Sequence, residues 1–74
     1  MRHEADVSGT MKCRMVDGSL ICEHATHRNM LYADINTLFP SVPEAAIRVA
    51  AGETVYLTLC SARELIATVR QAAQ

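Results

Sequence analysis

The sequence predicts one small α+β domain. In it a three-stranded antiparallel or mixed sheet carries two or three helices on one face, in the order ββααβα. Three observations lead to this class: a hairpin pattern over residues 10–25, an alternating apolar strand over residues 54–60, and an amphipathic helical pattern at the C-terminal end. Helices on one face of a sheet bury the apolar sides of both layers, which makes this combination a stable arrangement.

The length of the chain limits it to a single domain with a thin core. A domain of 74 residues buries only about 60% of its unfolded surface. Residues 1–9 are polar and unpatterned and are interpreted as a flexible N-terminal tail, which leaves residues 10–74 as the domain. Such a core favours the burial of further apolar surface in an oligomer or a complex.

The hairpin is the clearest local signal, because Asp17-Gly18 is a favoured two-residue type I′ turn, in which both residues need a positive φ. Counting outward from this turn predicts the register, with Cys13 opposite Cys22 and Lys12 opposite Glu23. The first hairpin strand is expected at an edge of the sheet, open to another chain. One hairpin face is mostly apolar and contains Met11, Cys13, Met15, Leu20, Cys22 and His24.

Residues 28–39 have a weaker pattern. Leu31, Ile35 and Leu38 recur at helical spacing, which favours a helix. Asn36 and Thr37 are poor helix formers, and a third strand is therefore the alternative.

A short helix is predicted over residues 42–51. Ser41 and Glu44 match a capping box, and Gly52 stands where a glycine commonly follows a helix. The buried stripe of this helix is predicted to contain Ala46, Ile47 and Ala50.

The last two elements are a strand and a helix. Residues 54–60 alternate with apolar side chains on both faces, which predicts a central strand. Ser61 and Glu64 match a second capping box at the start of the C-terminal helix. The apolar side of this helix contains Leu65, Ile66, Val69 and Ala72.

Charge and hydropathy indicate a cytoplasmic protein with no membrane segment. Seven basic residues balance eight acidic ones, without a basic block that would favour nucleic acid. The first residues lack the apolar run of a secretory signal, and no stretch approaches the roughly 18 apolar residues of a membrane span.

Cys13, Cys22 and His24 share one hairpin face and are candidate zinc ligands, with His27 or Cys60 as a fourth. The favoured interpretation is that the cysteines are small buried hydrophobic residues and that no cofactor is needed. A disulfide between Cys13 and Cys22 is the third reading. The predicted register makes Cys13 and Cys22 a non-hydrogen-bonded pair, whose Cα atoms lie about 4.5 Å apart. This distance is at the short end of the range that disulfides occupy.

Catalysis is not predicted. A Cys–His nucleophile needs an orienting group and an oxyanion hole, and the sequence shows neither. The glycines are isolated, so there is no phosphate-binding loop. The basic pairs Lys12 with Arg14, and Arg63 with Arg70, can touch phosphates, but solvated faces explain them as well.

The resulting hypothesis is a non-catalytic protein–protein interaction module. It is an adaptor or inhibitor of the kind that bacteria or phages encode as short chains, and it binds a larger protein or itself as a homodimer. One alternative is a small transcriptional regulator or nucleic-acid-binding protein, and another is a zinc-stabilised module. The predicted contact residues are Lys12, Arg14, Ile21, Arg63 and Arg70.

Overall fold

The computed structural model describes residues 9–72 and contains a three-stranded antiparallel sheet in the strand order β2-β1-β3. This confirms the predicted α+β class and the element order ββααβα. The predicted tail lies outside the described residues, apart from Gly9. The elements are β1 (Thr10–Val16), β2 (Ser19–His24), α1 (His27–Leu31), a 3₁₀ turn (Ile35–Thr37), α2 (Val42–Ala50), β3 (Val55–Thr58) and α3 (Leu59–Ala72).

The hairpin of β1 and β2 has the predicted register. Asp17 has a φ of 52° and Gly18 a φ of 82°, as a type I′ turn requires. Cys13 pairs with Cys22, and Lys12 with Glu23. The Lys12 ammonium lies 3.7 Å from a Glu23 carboxylate oxygen.

The strand order corrects two predictions, because β1 is the central strand and β3 lies at an edge. The prediction of a central β3 relied on apolar residues on both of its faces. The second face of β3 is instead covered by residues outside the sheet. On that face the Tyr56 hydroxyl donates to the Asn29 carbonyl at 3.0 Å. Along the outer edge of β3 the Phe39 N–H donates to the Tyr56 carbonyl at 2.7 Å. An edge strand is thereby buried on both faces.

The core lies between the sheet and the helices α2 and α3. The largest fully buried side chains come from all three layers: Leu57, Leu65, Val49, Val55 and Cys13. The predicted stripe of α2 is right for Ala46, which packs against the core, but wrong for Ile47, which is 65% exposed, and for Ala50, which is exposed. Val42, Ala45, Ala46 and Val49 form an equally periodic stripe, and its two valines make it the better core face.

Helix α2 is capped at both ends by the predicted residues, Ser41 and Gly52. The Ser41 hydroxyl accepts a hydrogen bond from the Glu44 N–H at 3.2 Å. The Glu44 carboxylate does not complete the predicted capping box; one of its oxygens lies 3.1 Å from Nε of Arg48. Gly52 has a φ of 93°. The Gly52 N–H donates to the Val49 carbonyl and the Glu53 N–H to the Arg48 carbonyl, each at 3.0 Å, which is a Schellman motif.

Helix α3 begins earlier than predicted. Strand β3 ends at Thr58, and the Thr58 hydroxyl accepts the Ser61 N–H at 3.2 Å. Thr58 therefore caps the helix in place of Ser61, and Cys60 lies on a helix instead of a strand. At 14 residues α3 is the longest helix, and within residues 9–72 no helix has the length and apolarity to cross a bilayer.

Residues 28–39 are only partly helical. Helix α1 ends at Leu31 and buries none of its residues. Its start carries a complete capping box, in which Thr26 and Asn29 exchange hydrogen bonds of 3.0 and 3.1 Å. The Asp34 carboxylate then accepts the Asn36 N–H at 2.9 Å and starts the 3₁₀ turn. Polar side chains that bind the backbone compete with a continuous helix, which explains the break.

Candidate functional site

The outer edge of β2 is an open side of the sheet. Strand β2 pairs with β1 alone. Hydrogen-bonded and non-hydrogen-bonded pairs alternate along an antiparallel ladder, and a two-residue turn is flanked by a hydrogen-bonded pair. Val16–Ser19 and Arg14–Ile21 are therefore hydrogen-bonded pairs, while Leu20 and Cys22 direct their backbone N–H and C=O groups away from β1. We call this side of the strand the β2 edge.

The opposite edge of the sheet, along β3, is partly occupied. Leu38 forms a parallel bridge with Tyr56. The Tyr56 carbonyl also accepts the Phe39 N–H at 2.7 Å. In the part of the chain that the structure describes, no corresponding segment covers the β2 edge. The two edges of the sheet are therefore unequal, and β2 is the more accessible one.

A groove of about 540 Å³ runs between β2 and α3 beside this edge. We call it the β2–α3 groove; it is lined by residues 18–22, Ile66, Val69 and Arg70. Its walls are largely apolar, with Leu20 and Cys22 below and Ile66 and Val69 above. Arg70 is exposed and is the charged side chain among these lining residues. The groove is therefore suited to apolar side chains with a negative group near Arg70.

Cys13 and Cys22 are brought together as the hairpin register predicts. Both are free thiols, and their Sγ atoms lie 2.6 Å apart. Cys13 has no exposed surface, whereas Cys22 is half-buried and lines the groove. Burial raises the pKa of the Cys13 thiol far above its ordinary range, and the hydrogen bond with Cys22 raises it further. Burial also raises the pKa of Cys22. Both sulfurs are therefore mainly protonated at neutral pH, and each reacts only through the small fraction present as thiolate.

The proposed zinc ligands are only partly assembled. His24 lies at the exposed end of β2, on the same face as Cys22, and is paired with Met11 in the register. His27 begins α1 and is exposed. Cys60 is exposed on α3. Across residues 9–72, no group of three or more His, Cys, Asp or Glu side chains is arranged to hold a metal ion.

The predicted basic contact residues lie on different surfaces. Lys12 and Arg14 project from the sheet face opposite Cys13, which the helices α2 and α3 do not cover. Arg63 and Arg70 are exposed on α3, which packs on the other face. Lys12 is also paired with Glu23. These four cations do not form one continuous positive surface. Of the predicted contact residues, Arg70 and Ile21 line the groove.

Comparison of the chain with protein-family models, with curated proteins and with solved structures found no match. The site must therefore be interpreted from its own geometry. Sequence reasoning did not identify the groove, because Leu20, Ile66 and Val69 read as ordinary core positions. They line a groove only because α3 leaves part of β2 uncovered. The sequence signal that could have found the edge is the lack of lysine and proline in β2.

Proposed function

We propose that this chain is a non-catalytic protein-interaction module. It binds an extended segment of a larger protein along the β2 edge, while side chains of that segment enter the β2–α3 groove. The observation that carries the proposal is an open strand edge directly beside a largely apolar groove. Edge pairing supplies main-chain hydrogen bonds, and pockets for alternate side chains supply specificity.

The β2 edge lacks the features that usually protect an edge strand. Natural edges are guarded by lysine, proline, a bulge or a covering segment. Strand β2 has neither lysine nor proline, and it pairs with β1 without interruption. Its one acidic residue, Glu23, is paired with Lys12. Ile21, on the opposite face of the strand, is 41% exposed. These properties favour addition of a further strand.

The groove defines the chemistry of the bound segment. Side chains of an added strand alternate between the two sheet faces, so every second one faces the helices. Those side chains meet Leu20, Cys22, Ile66 and Val69, which favours apolar residues of moderate size. Arg70 lines the groove and favours an acidic residue beside it. The partner is therefore an extended apolar segment with a carboxylate.

Binding of this kind gives the chain the action of an adaptor or an inhibitor. A segment held as a fourth strand is no longer accessible to other proteins. The bound chain also presents its remaining surface beside the partner. A second copy, paired through β2 of each protomer, is the competing occupant, and the experiment below distinguishes it.

The test is selection from a displayed library of random peptides, followed by affinity measurement with two matched variants. Ile66→Asp places a charge in the groove. Ile47→Asp makes the same change on α2, where Ile47 is 65% exposed and does not line the groove. Wild type is expected to enrich apolar peptides that contain an acidic residue. Ile66→Asp weakens their binding at least about tenfold, as loss of one central apolar contact does, and Ile47→Asp leaves it unchanged.

Three results would oppose the proposal. One is a library that yields no enriched peptide while the chain remains monomeric in native mass spectrometry. Another is equal loss of binding in both variants when their melting temperatures match wild type. The third is a dimer that dissociates with Ile66→Asp and binds no peptide, which assigns the edge to a second copy of the chain.

A further inference from the structure

Cys13 and Cys22 form a cross-strand dithiol whose redox chemistry the proposed function does not use. Their Sγ atoms are 2.6 Å apart, closer than two unbonded sulfurs normally approach. The register holds them directly opposite each other. Since Asp17-Gly18 and the ladder determine that register, the two sulfurs meet without any rearrangement of the chain.

The two thiols differ in how a reagent reaches them. Cys13 is fully buried in the core. Cys22 is half-buried and lines the β2–α3 groove, which is open to solvent. A small oxidant therefore meets Cys22 first, and Cys13 reacts only through Cys22.

We propose that Cys13 and Cys22 are a reversible modification site, which a low-molecular-weight disulfide oxidises to an intramolecular cross-strand disulfide. The Cys22 thiolate attacks one sulfur of the oxidant, forms a mixed disulfide and expels the first thiolate. The Cys13 thiolate then attacks the Cys22 sulfur, forms the Cys13–Cys22 bond and expels the second thiolate. The protein loses two electrons and two protons, and the oxidant becomes two free thiols.

The geometry favours a Cys13–Cys22 disulfide that is also readily reduced. Opposed residues of a non-hydrogen-bonded pair have Cα atoms about 4.5 Å apart, at the short end of the range that disulfides occupy. Such bonds are more easily reduced than relaxed structural ones. The site therefore responds to the ratio of disulfide to thiol in its surroundings. The reaction requires no partner protein.

The experiment uses the folded Cys60→Ser chain, because Cys60 is exposed and would react separately. The protein is equilibrated without denaturant in mixtures of oxidised and reduced glutathione and is quenched with acid. It is then alkylated in denaturant, because Cys13 is buried in the folded chain, and its intact mass is measured by mass spectrometry. With increasing oxidised glutathione, the fraction of doubly alkylated chains is expected to fall at least about tenfold. The doubly alkylated chains are replaced by an unalkylated monomer whose mass is lower than that of the reduced chain by two hydrogens. Excess reduced glutathione restores both thiols.

The order of attack is tested with a second variant, Cys13→Val with Cys60→Ser. It is expected to stop at a mixed disulfide of Cys22 with glutathione. If it does not fold, the same adduct is sought at early times in the Cys60→Ser chain. The proposal is overturned if both thiols stay alkylatable in oxidised glutathione alone. It is also overturned if only stable glutathione adducts form, or if the disulfide joins two chains.

Discussion

The hairpin and the segment that follows it, residues 25–39, are stretches of equal length whose structures have different origins. In the hairpin, one turn and one alternating pattern determine every residue pair. In residues 25–39, short caps at Thr26 and Asp34 produce brief helical turns. Those turns are held in place by Tyr56, which is distant in sequence. Local rules are sufficient for the first region, while the second depends on long-range contacts.

The same comparison separates buried from exposed apolar residues. The hairpin contributes Cys13 and Met11 to the core, where Leu57 of β3 packs beside them. In the following segment Ala25 is buried, but the large side chains of Leu31, Tyr32, Ile35 and Phe39 are exposed, with Tyr32 89% and Ile35 78% exposed. The helical spacing of Leu31, Ile35 and Leu38 therefore did not correspond to a buried stripe. We expect substitutions of the buried core residues to alter global stability, and substitutions of the exposed residues in 25–39 to act locally.

The largest predicted effect follows from this difference in burial. Leu57→Ala removes a fully buried side chain and is expected to lower the free energy of unfolding by about 2–5 kcal/mol. Ile35→Ala, at an exposed position, is expected to change it by less than about 0.5 kcal/mol. Urea unfolding followed by circular dichroism measures both. Similar losses in the two variants would contradict the assignment of the core.

The next effect is the pH dependence of stability, which arises from the two hairpin thiols, Cys13 and Cys22. Burial raises the pKa of the Cys13 and Cys22 thiols in the folded chain. In the unfolded chain a thiol titrates near its ordinary value of about 8.5. Above that pH the unfolded chain binds fewer protons than the folded one, so stability falls as pH rises. The expected slope reaches about 1.4 kcal/mol per thiol for each pH unit.

Urea unfolding of the reduced protein between about pH 8.5 and 9.5 tests this slope, in the range where these thiols titrate in the unfolded state. Cys22→Ala is expected to reduce it by about half, since one of the two thiols whose pKa is raised in the folded chain is removed. Cys60→Ala is the control and leaves the slope unchanged, because Cys60 is exposed. Stability that rises with pH over this range would contradict the account.

The third effect concerns the turn that determines the hairpin. Gly18 has a φ of 82°, and Gly18→Ala is expected to cost about 1–2 kcal/mol because a Cβ disfavours the left-handed region. Gly9→Ala, where the backbone has no left-handed conformation, is the matched control and is expected to cost less than about 0.5 kcal/mol. Thermal melting followed by circular dichroism compares them. Equal melting temperatures would show that the left-handed conformation at Gly18 does not affect the stability of the fold.

Much of the fold could be predicted because its determinants are local. The register of the hairpin, the Ser41 cap and the Gly52 termination of α2 all follow from a few neighbouring residues. The strand order could not be predicted, because the burial of Tyr56 comes from residues 25–39 and not from another strand. The start of α3 was misplaced by three residues because Thr58, a strand residue, also caps the helix.

The candidate site was predictable only in part. The pairing of Cys13 with Cys22 follows directly from counting along the hairpin. The β2–α3 groove depends on the distance between β2 and α3, which no sequence pattern encodes. The sequence predicts an open edge on β1, whereas β1 is the central strand and the open edge lies on β2.

The smallest effect tests the long-range anchor of residues 25–39. Tyr56→Phe removes the hydroxyl that donates to the Asn29 carbonyl and is expected to cost about 0.5–1.5 kcal/mol. Amide exchange in α1 should accelerate while exchange in β1 and β2 stays unchanged. Tyr32→Phe is the control, because Tyr32 is 89% exposed and makes no such contact with Asn29. Faster exchange throughout the hairpin would show that the two regions are not independent.

The most direct test of the central claim is amide hydrogen exchange of β2 with and without a peptide selected from the library. An added strand bonds to the outward N–H groups of Leu20 and Cys22, whereas Ile21 already pairs with Arg14. The account predicts that exchange at Leu20 and Cys22 slows at least about tenfold on binding, with little change at Ile21. Unchanged exchange at Leu20 and Cys22 in the saturated complex would contradict binding along the β2 edge.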